Sequence, residues 1–337
     1  MRLELERDSV HLERHDLSAD HVEAAWADLL KAAQEHDHPG LVRTHTHTLI
    51  ILTGAERARP DVEPVALAHP GRYITVTVGT GRNRSGEVSL LGTPGRSVAS
   101  ELVELPLPSR DRAYWAEAVL PLLRADMPVA CLVRDLELLE GAEFAALAEN
   151  LDMVILDTRP LERPSKPWAQ VLSANPHLTP MDLAWAALQP WREVAAAAFD
   201  PEDLARLLPA LERIEAVGGP LADSPATWFH GWLIDRTGRQ EDEPTLMFRD
   251  RHAKGGLRSL TLAFEGGHVC RIGLEGRQLR AEVEVHGRTV HAVHQPCGEA
   301  EWAVLVSTCL GHGYDPIFRN TVRNLVQTRE GAEASGA

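Results

Sequence analysis

The sequence predicts an α/β amino-terminal domain with a mixed sheet, followed by an α+β carboxy-terminal domain of helices plus an antiparallel meander. Three observations carry this. Up to about residue 156, short apolar strand segments alternate with segments of helical period. Prolines at 160, 164, 167, 176 and 180 then interrupt the chain, and a segment so short of backbone donors reads as an interdomain connection. After Gly238 the apolar spacing changes from helical to two. The expected division is an α/β domain over 1–160, a linker over 161–180, an α+β domain over 181–328 and an unstructured tail over 329–337.

In the first domain, Ser18 to Glu35 reads as an amphipathic helix with Val22, Ala25, Trp26, Leu29 and Leu30 on one stripe. His45 to Thr53 passes from polar alternation into an apolar run, a strand entering a covered sheet, with Arg43, His45 and His47 on one face. Tyr73 to Val78 is a strand, and Gly79-Thr80-Gly81 reads as a hairpin connection to the strand Glu87 to Leu91. A phosphate loop would instead open a helix there. Ser100 to Leu107, Pro128 to Val133 and Met153 to Leu156 read as strands, and Tyr114 to Leu123 and Glu143 to Glu149 as helices.

In the second domain, Thr179 has the character of an N-cap with Pro180 at the first helical position and Asp182 in the first turn. Pro190 should break this helix and start another, and Asp200-Pro201 should begin a third that ends before Gly218. Ser224-Pro225 opens a helix on which Pro225, Trp228, Phe229, Trp232 and Leu233 form one wide apolar stripe, suited to core packing or to a protein interface. The alternating runs Leu260 to Phe264, Cys270 to Leu274 and Leu279 to Val285 are strands of the meander. Glu299 to Cys309 and Pro316 to Gln327 read as helices able to cover it.

The 337 residues carry a formal charge of −15. Such a charge repels a polyphosphate backbone and anionic lipid, so neither nucleic acid nor a membrane is expected as principal partner. The charged start MRLELERDSV lacks the apolar segment of a signal peptide, so a cytoplasmic protein is expected. Cys131, Cys270, Cys297 and Cys309 form no CxxC pair and read as structural thiols.

No chemistry-bearing constellation stands out. His36, His38, His45 and His47 lack a further ligand at a metal-site spacing. Asp152 and Asp157 flank a strand without a nucleophile or base beside them. His286, His291 and His294 lack a third-ligand pattern. Arg249, Arg251, His252, Lys254 and Arg258 form a basic segment, a solvated loop or a contact for an acidic patch. The expectation is therefore no catalytic residue, no metal and no cofactor.

DLAWAALQPWREVAAAAFD at 182–200 resembles the signature of the OpcA family, the glucose-6-phosphate dehydrogenase assembly proteins, with Gln189 where that family usually has threonine. Asp223-Ser224-Pro225-Ala226 through Gly231-Trp232-Leu233 is similar to its second helical signature. His69 to Ile74 resembles a family strand in which cysteine often stands at the position of Gly71. Leu120 to Leu123, Met153 to Thr158 and Arg43-Thr44 agree with further family segments. The resemblance implies a non-catalytic protein that binds glucose-6-phosphate dehydrogenase and promotes its assembly or activation, raising NADPH supply. It singles out Asp182, Trp185, Pro190, Trp191, Arg192, Ser224, Pro225, Gly231, Trp232, Arg43 and Arg72 as signature and candidate partner-binding residues. An enzyme of sugar-phosphate metabolism, and a small-metabolite sensor using the α/β domain, stand as alternatives.

Overall fold

A computed structural model describes residues 3–5, 9–13, 19–36, 40–43, 45–58, 60–80, 86–92, 98–108, 115–239, 243–249, 255–297 and 301–335. The chain divides into two compact units, one of residues 1–157 with 175–179, the other of residues 158–174 with 180–337.

The first unit contains, in order, β1 (Leu3–Leu5), β2 (Ser9–Glu13), α1 (Ala19–His36), β3 (Val42–Arg43), β4 (Thr48–Gly54), α2 (Glu63–Ala68), β5 (Arg72–Thr80), β6 (Glu87–Gly92), β7 (Val98–Pro108), α3 (Trp115–Val119), β8 (Val129–Val133), α4 (Ala142–Ala148) and β9 (Met153–Leu156). Its sheet runs in the order β1-β2-β6-β7-β5-β4-β8-β9, with β3 beside β7. The strands β7, β5, β4, β8 and β9 are parallel to their neighbours, and β6, β2 and β1 extend the sheet antiparallel. Every residue of β4 and β8 is buried, as continuous apolar runs in a doubly covered parallel sheet require. Trp26 of α1 is fully buried and its Nε1–H donates to the carbonyls of Ser89 and Leu102, each at 3.2 Å.

Two expectations fail here. Gly79 to Gly81 cannot join a hairpin, because β7 lies between β5 and β6 and β5 pairs only in parallel. His45 and His47 precede β4 and share no strand face.

The second unit contains α5 (Ser165–Ala174), β10 (Thr179–Asp182, whose first residue belongs to the first unit), α6 (Leu183–Ala187), α7 (Gln189–Ala198), α8 (Glu202–Ala205), β11 (Leu211–Gly218), α9 (Asp223–Thr237), β12 (Thr245–Arg249), β13 (Leu257–Phe264), β14 (His268–Glu275), β15 (Gln278–Val285), β16 (Arg288–Pro296), α10 (Trp302–His312) and α11 (Pro316–Ser335). Its sheet is β12-β11-β13-β14-β15-β16, antiparallel except for the parallel pair β11–β12. The meander is therefore present within a mixed sheet. His286 at φ 50° and Gly287 at φ 73° close the two-residue turn between β15 and β16, the left-handed pair such a turn needs.

The expected linker is folded. Pro164 precedes α5 and Pro167 sits in its first turn, where proline removes no intrahelical hydrogen bond. Thr179 is a strand residue, and Asp182 itself caps α6, its Oδ1 accepting from Ala184 N at 2.7 Å. The helix after Pro201 stops at Ala205, and Leu211–Gly218 is a strand. Strand periodicity in LERIEAVG, buried at Leu211, Ile214, Ala216 and Gly218, outweighs the helix start signal. The sheet is covered by α7 and α9, while α10 packs on α6 and α11 on α9 and α5. The end of the chain, expected to be unstructured from 329, continues α11 to Ser335.

Candidate functional site

The two tryptophan-bearing signatures meet in the second unit, and their residues separate into a buried floor and an exposed groove. The floor is polar. Asp182, with no exposed surface, accepts from Trp168 Nε1–H at 2.9 Å and from the Thr158 hydroxyl at 2.8 and 2.9 Å. Because the Thr158 hydrogen goes to the carboxylate, its oxygen is the acceptor for Trp228 Nε1–H and for the Ser224 hydroxyl, both at 3.2 Å. A buried carboxylate is tolerable only with such a complete set of donors.

Phe318 of α11 lies over this network. Its ring meets Trp168 at 5.7 Å, Trp228 at 5.1 Å and Trp185 at 5.0 Å between centroids. Asp315 caps α11, its Oδ1 accepting from Ile317 N and Phe318 N, and its Oδ2 accepts from Trp185 Nε1–H at 2.8 Å. On the outer face of Trp185 lies Arg192, its guanidinium carbon 3.5 Å from a ring centroid. Burial lowers the Arg192 pKa to about 10, against the opposing charges of Asp315 and Glu193.

Arg192 opens onto a groove of about 390 Å³ lined by Gln189, Arg192, Glu193, Trp232, His312, Tyr314, Asp315, Pro316 and Ile317. Tyr314 stands 57% exposed at its rim. Trp232 packs on Phe229 with 5.3 Å between centroids and presents one side to the groove. The site is thus a cation and aromatic walls, a composition common to protein-binding surfaces.

Of the residues singled out by sequence, Arg192 and Trp232 reach this groove. Trp185 lies buried beneath Arg192. Asp182 and Ser224 belong to the floor and Trp191 is buried. Pro190 and Pro225 occupy the first turns of α7 and α9. Gly231 permits helix packing, since a Cβ there would meet Leu325 Cδ1 at 2.7 Å and Thr321 Cγ2 at 3.0 Å. The wide stripe expected on α9 is absent, for the helix is buried on every side along Asp223–Ile234.

Arg43 and Arg72 lie in the first unit and converge on Glu101. Arg72, buried, donates from Nε to Glu101 at 2.7 Å, from Nη1 to the Leu122 carbonyl at 2.6 Å and from Nη2 to Glu23 at 2.7 Å. Arg43 pairs with Glu101 at 2.7 Å and His45 with the same carboxylate at 2.6 Å. Burial would raise the Glu101 pKa, but the His45 hydrogen bond and the charges of Arg72, His45 and Arg43 outweigh it and hold it low. This cluster fastens the end of β3 and the start of β5 to β7.

Thr158, Trp168, Asp315 and Phe318 escaped the sequence reading. Asp315-Pro316 repeats the cap-and-proline signal recognised at Asp200-Pro201, and Glu101 is a charge inside an apolar strand, so both carried a local signal. Among the described residues, no group of three or more His, Cys, Asp or Glu side chains is arranged to hold a metal. No helix there is long and apolar enough to cross a membrane. Arg249 pairs with Glu215 at 3.0 Å, and the rest of the basic segment up to Lys254 lies outside the described residues.

Models described as glucose-6-phosphate dehydrogenase subunit N-terminal domain and C-terminal domain, both of OpcA type, match residues 62–173 and 179–321. A Synechocystis sp. protein carrying the name OxPP cycle protein OpcA is 28% identical over 174 residues, which cover 51% of this chain and 32% of that protein. The match thus spans about a third of the relative's length. Among solved structures, the transcriptional regulator Gal80p from Kluyveromyces lactis superposes with a TM-score of 0.45 and 7% identity, over 84% of this chain and 88% of that one. The WlbA dehydrogenase from Bordetella pertussis, solved with NADH and UDP-GlcNAcA, gives 0.38 and 11%, over 83% and 93%. Likeness at that level carries no argument about chemistry. The two domain models, matched in sequence order across both units, establish that the chain belongs to the OpcA family.

Proposed function

We propose that this protein is a non-catalytic, cytoplasmic assembly factor and allosteric activator of glucose-6-phosphate dehydrogenase. In that role it supports the oxidative pentose phosphate pathway and its supply of NADPH. The descriptions of both domain models as glucose-6-phosphate dehydrogenase subunit domains support the choice of partner. The observation that carries the reading is the convergence of the two signatures. Arg192 of α7 and Trp232 of α9 come to one open groove, above a floor to which Asp182, Ser224 and Trp228 of the same signatures contribute. A binding protein raises an enzyme's rate by holding its active state better than its inactive one, and needs no reacting group of its own.

The test is the rate of the cognate dehydrogenase at subsaturating glucose 6-phosphate, titrated with this protein. A saturable rise in rate is expected, with no turnover by the protein alone. An unchanged rate, or turnover of a sugar phosphate without the enzyme, would refute the reading.

A further inference from the structure

The carboxylates and the cation of the groove differ in how far their hydrogen-bonding capacity is used. Asp315 is spent on Trp185 Nε1–H and on two backbone N–H groups of α11. Glu193 accepts from Gln189 at 2.9 Å and from Gln295. Arg192 has no such use. Its guanidinium sits over the Trp185 ring, and Asp315 and Glu193 act on it through space without forming an ion pair among the described residues. Its five N–H donors make no hydrogen bond there. A partly desolvated guanidinium with open donors gains most from a planar acceptor that takes two of them at once.

The surroundings restrict that acceptor. Two neighbouring carboxylates, in a chain of net charge −15, repel a phosphate dianion more strongly than a singly charged carboxylate, which leaves the single charge as the better match to the guanidinium. Trp232, Pro316 and Ile317 add apolar walls against which the stem of a side chain can lie.

We propose that Arg192 receives an aspartate or glutamate side chain of the bound enzyme, flanked in sequence by an apolar residue that packs on Trp232. This rests on the reading that the dehydrogenase is the partner, and it assigns the charge that partner must present.

Two arms test it. In the first, the protein alone is titrated with the capped peptides acetyl-Leu-Glu-amide and acetyl-Leu-Gln-amide, followed by ligand-observed NMR. The glutamate peptide should bind about tenfold or more tightly than the glutamine peptide, as loss of a charged hydrogen bond implies. Arg192→Met, which keeps the stem over Trp185, should abolish that preference at an unchanged melting temperature, and inorganic phosphate should not compete. Equal binding of both peptides, or full competition by phosphate, would overturn the assignment. In the second arm, wild type and Arg192→Met are titrated against the dehydrogenase. Loss of affinity by about tenfold or more in the variant, with Arg192→Lys restoring only part of it, supports the assignment. An unaffected variant would overturn it while leaving the partner reading intact. Carboxylate preference in the first arm without enzyme binding in the second would remove the partner and leave the groove chemistry standing.

Discussion

At the scale of single residues, Gly71 and His47 form a matched pair. A Cβ at Gly71 would stand 2.8 Å from His47 Cε1 and 2.8 Å from the His47 carbonyl. The imidazole fills space that a side chain at 71 would need, edge-on to Tyr73 with 5.5 Å between centroids. Gly71→Cys should therefore lose about 2 kcal/mol of stability by overpacking, and His47→Ala in the same chain should restore part of it, both read by urea denaturation. Thr46 donates its hydroxyl to the Pro70 carbonyl, so His47 Nδ1 carries hydrogen and donates to Thr46 Oγ1 at 2.9 Å. The other ring nitrogen is buried without a partner. Burial first, and the His69 charge second, lower the His47 pKa to about 4. The folded state then binds fewer protons than the unfolded chain between about pH 6.5 and 4. Stability is fully present above that window and falls as pH drops through it, by roughly 3 kcal/mol at most. Melting curves across this range should show the loss in wild type and less of it in His47→Phe.

At the scale of elements, the helices of the second unit depend on one network and one close crossing. Asp182→Ala would leave the Ala184 N–H, Trp168 Nε1–H and the Thr158 hydroxyl without their acceptor. A loss of about 3 kcal/mol or more is expected, with the loss of defined near-ultraviolet tryptophan signal as its second readout. Gly231→Ala places a methyl against Leu325 and Thr321 of α11 and should cost about 1–3 kcal/mol. Leu325→Ala should relieve much of that cost when combined with it, because the two changes share one contact. If the two losses simply add, α9 and α11 are not held at this crossing.

At the scale of the whole molecule, most strands and helices were legible because each has a strong period of its own. The amphipathic stripe of α1, the apolar runs of β4, β8 and β9 and the alternation of β13 to β15 all appear where their periods place them. What was not legible depends on partners distant in sequence. Nothing local in Gly79 to Gly81 shows that β7 will insert beside β5. In the proline-rich stretch, Pro164 and Pro167 fall before and in the first turn of α5, where they cost no intrahelical hydrogen bond, while Pro180 lies within the short strand β10. LERIEAVG carried its own strand pattern, but a cap-and-proline signal just before it pointed the other way. The groove was half legible. Arg192 and Trp232 could be named from their signatures, whereas Asp315 and Phe318 reach Trp185, beneath Arg192, from more than a hundred residues away.

In the proposed assembly, the groove formed by α7, α9 and the start of α11 is the face that meets the enzyme. Hydrogen–deuterium exchange of this protein, alone and saturated with glucose-6-phosphate dehydrogenase, tests it most directly. New protection is expected in peptides covering 189–193 and 312–317, lost in the Arg192→Met variant at equal concentration. Protection confined to other segments, with 189–193 and 312–317 exchanging as in the free protein, would contradict it.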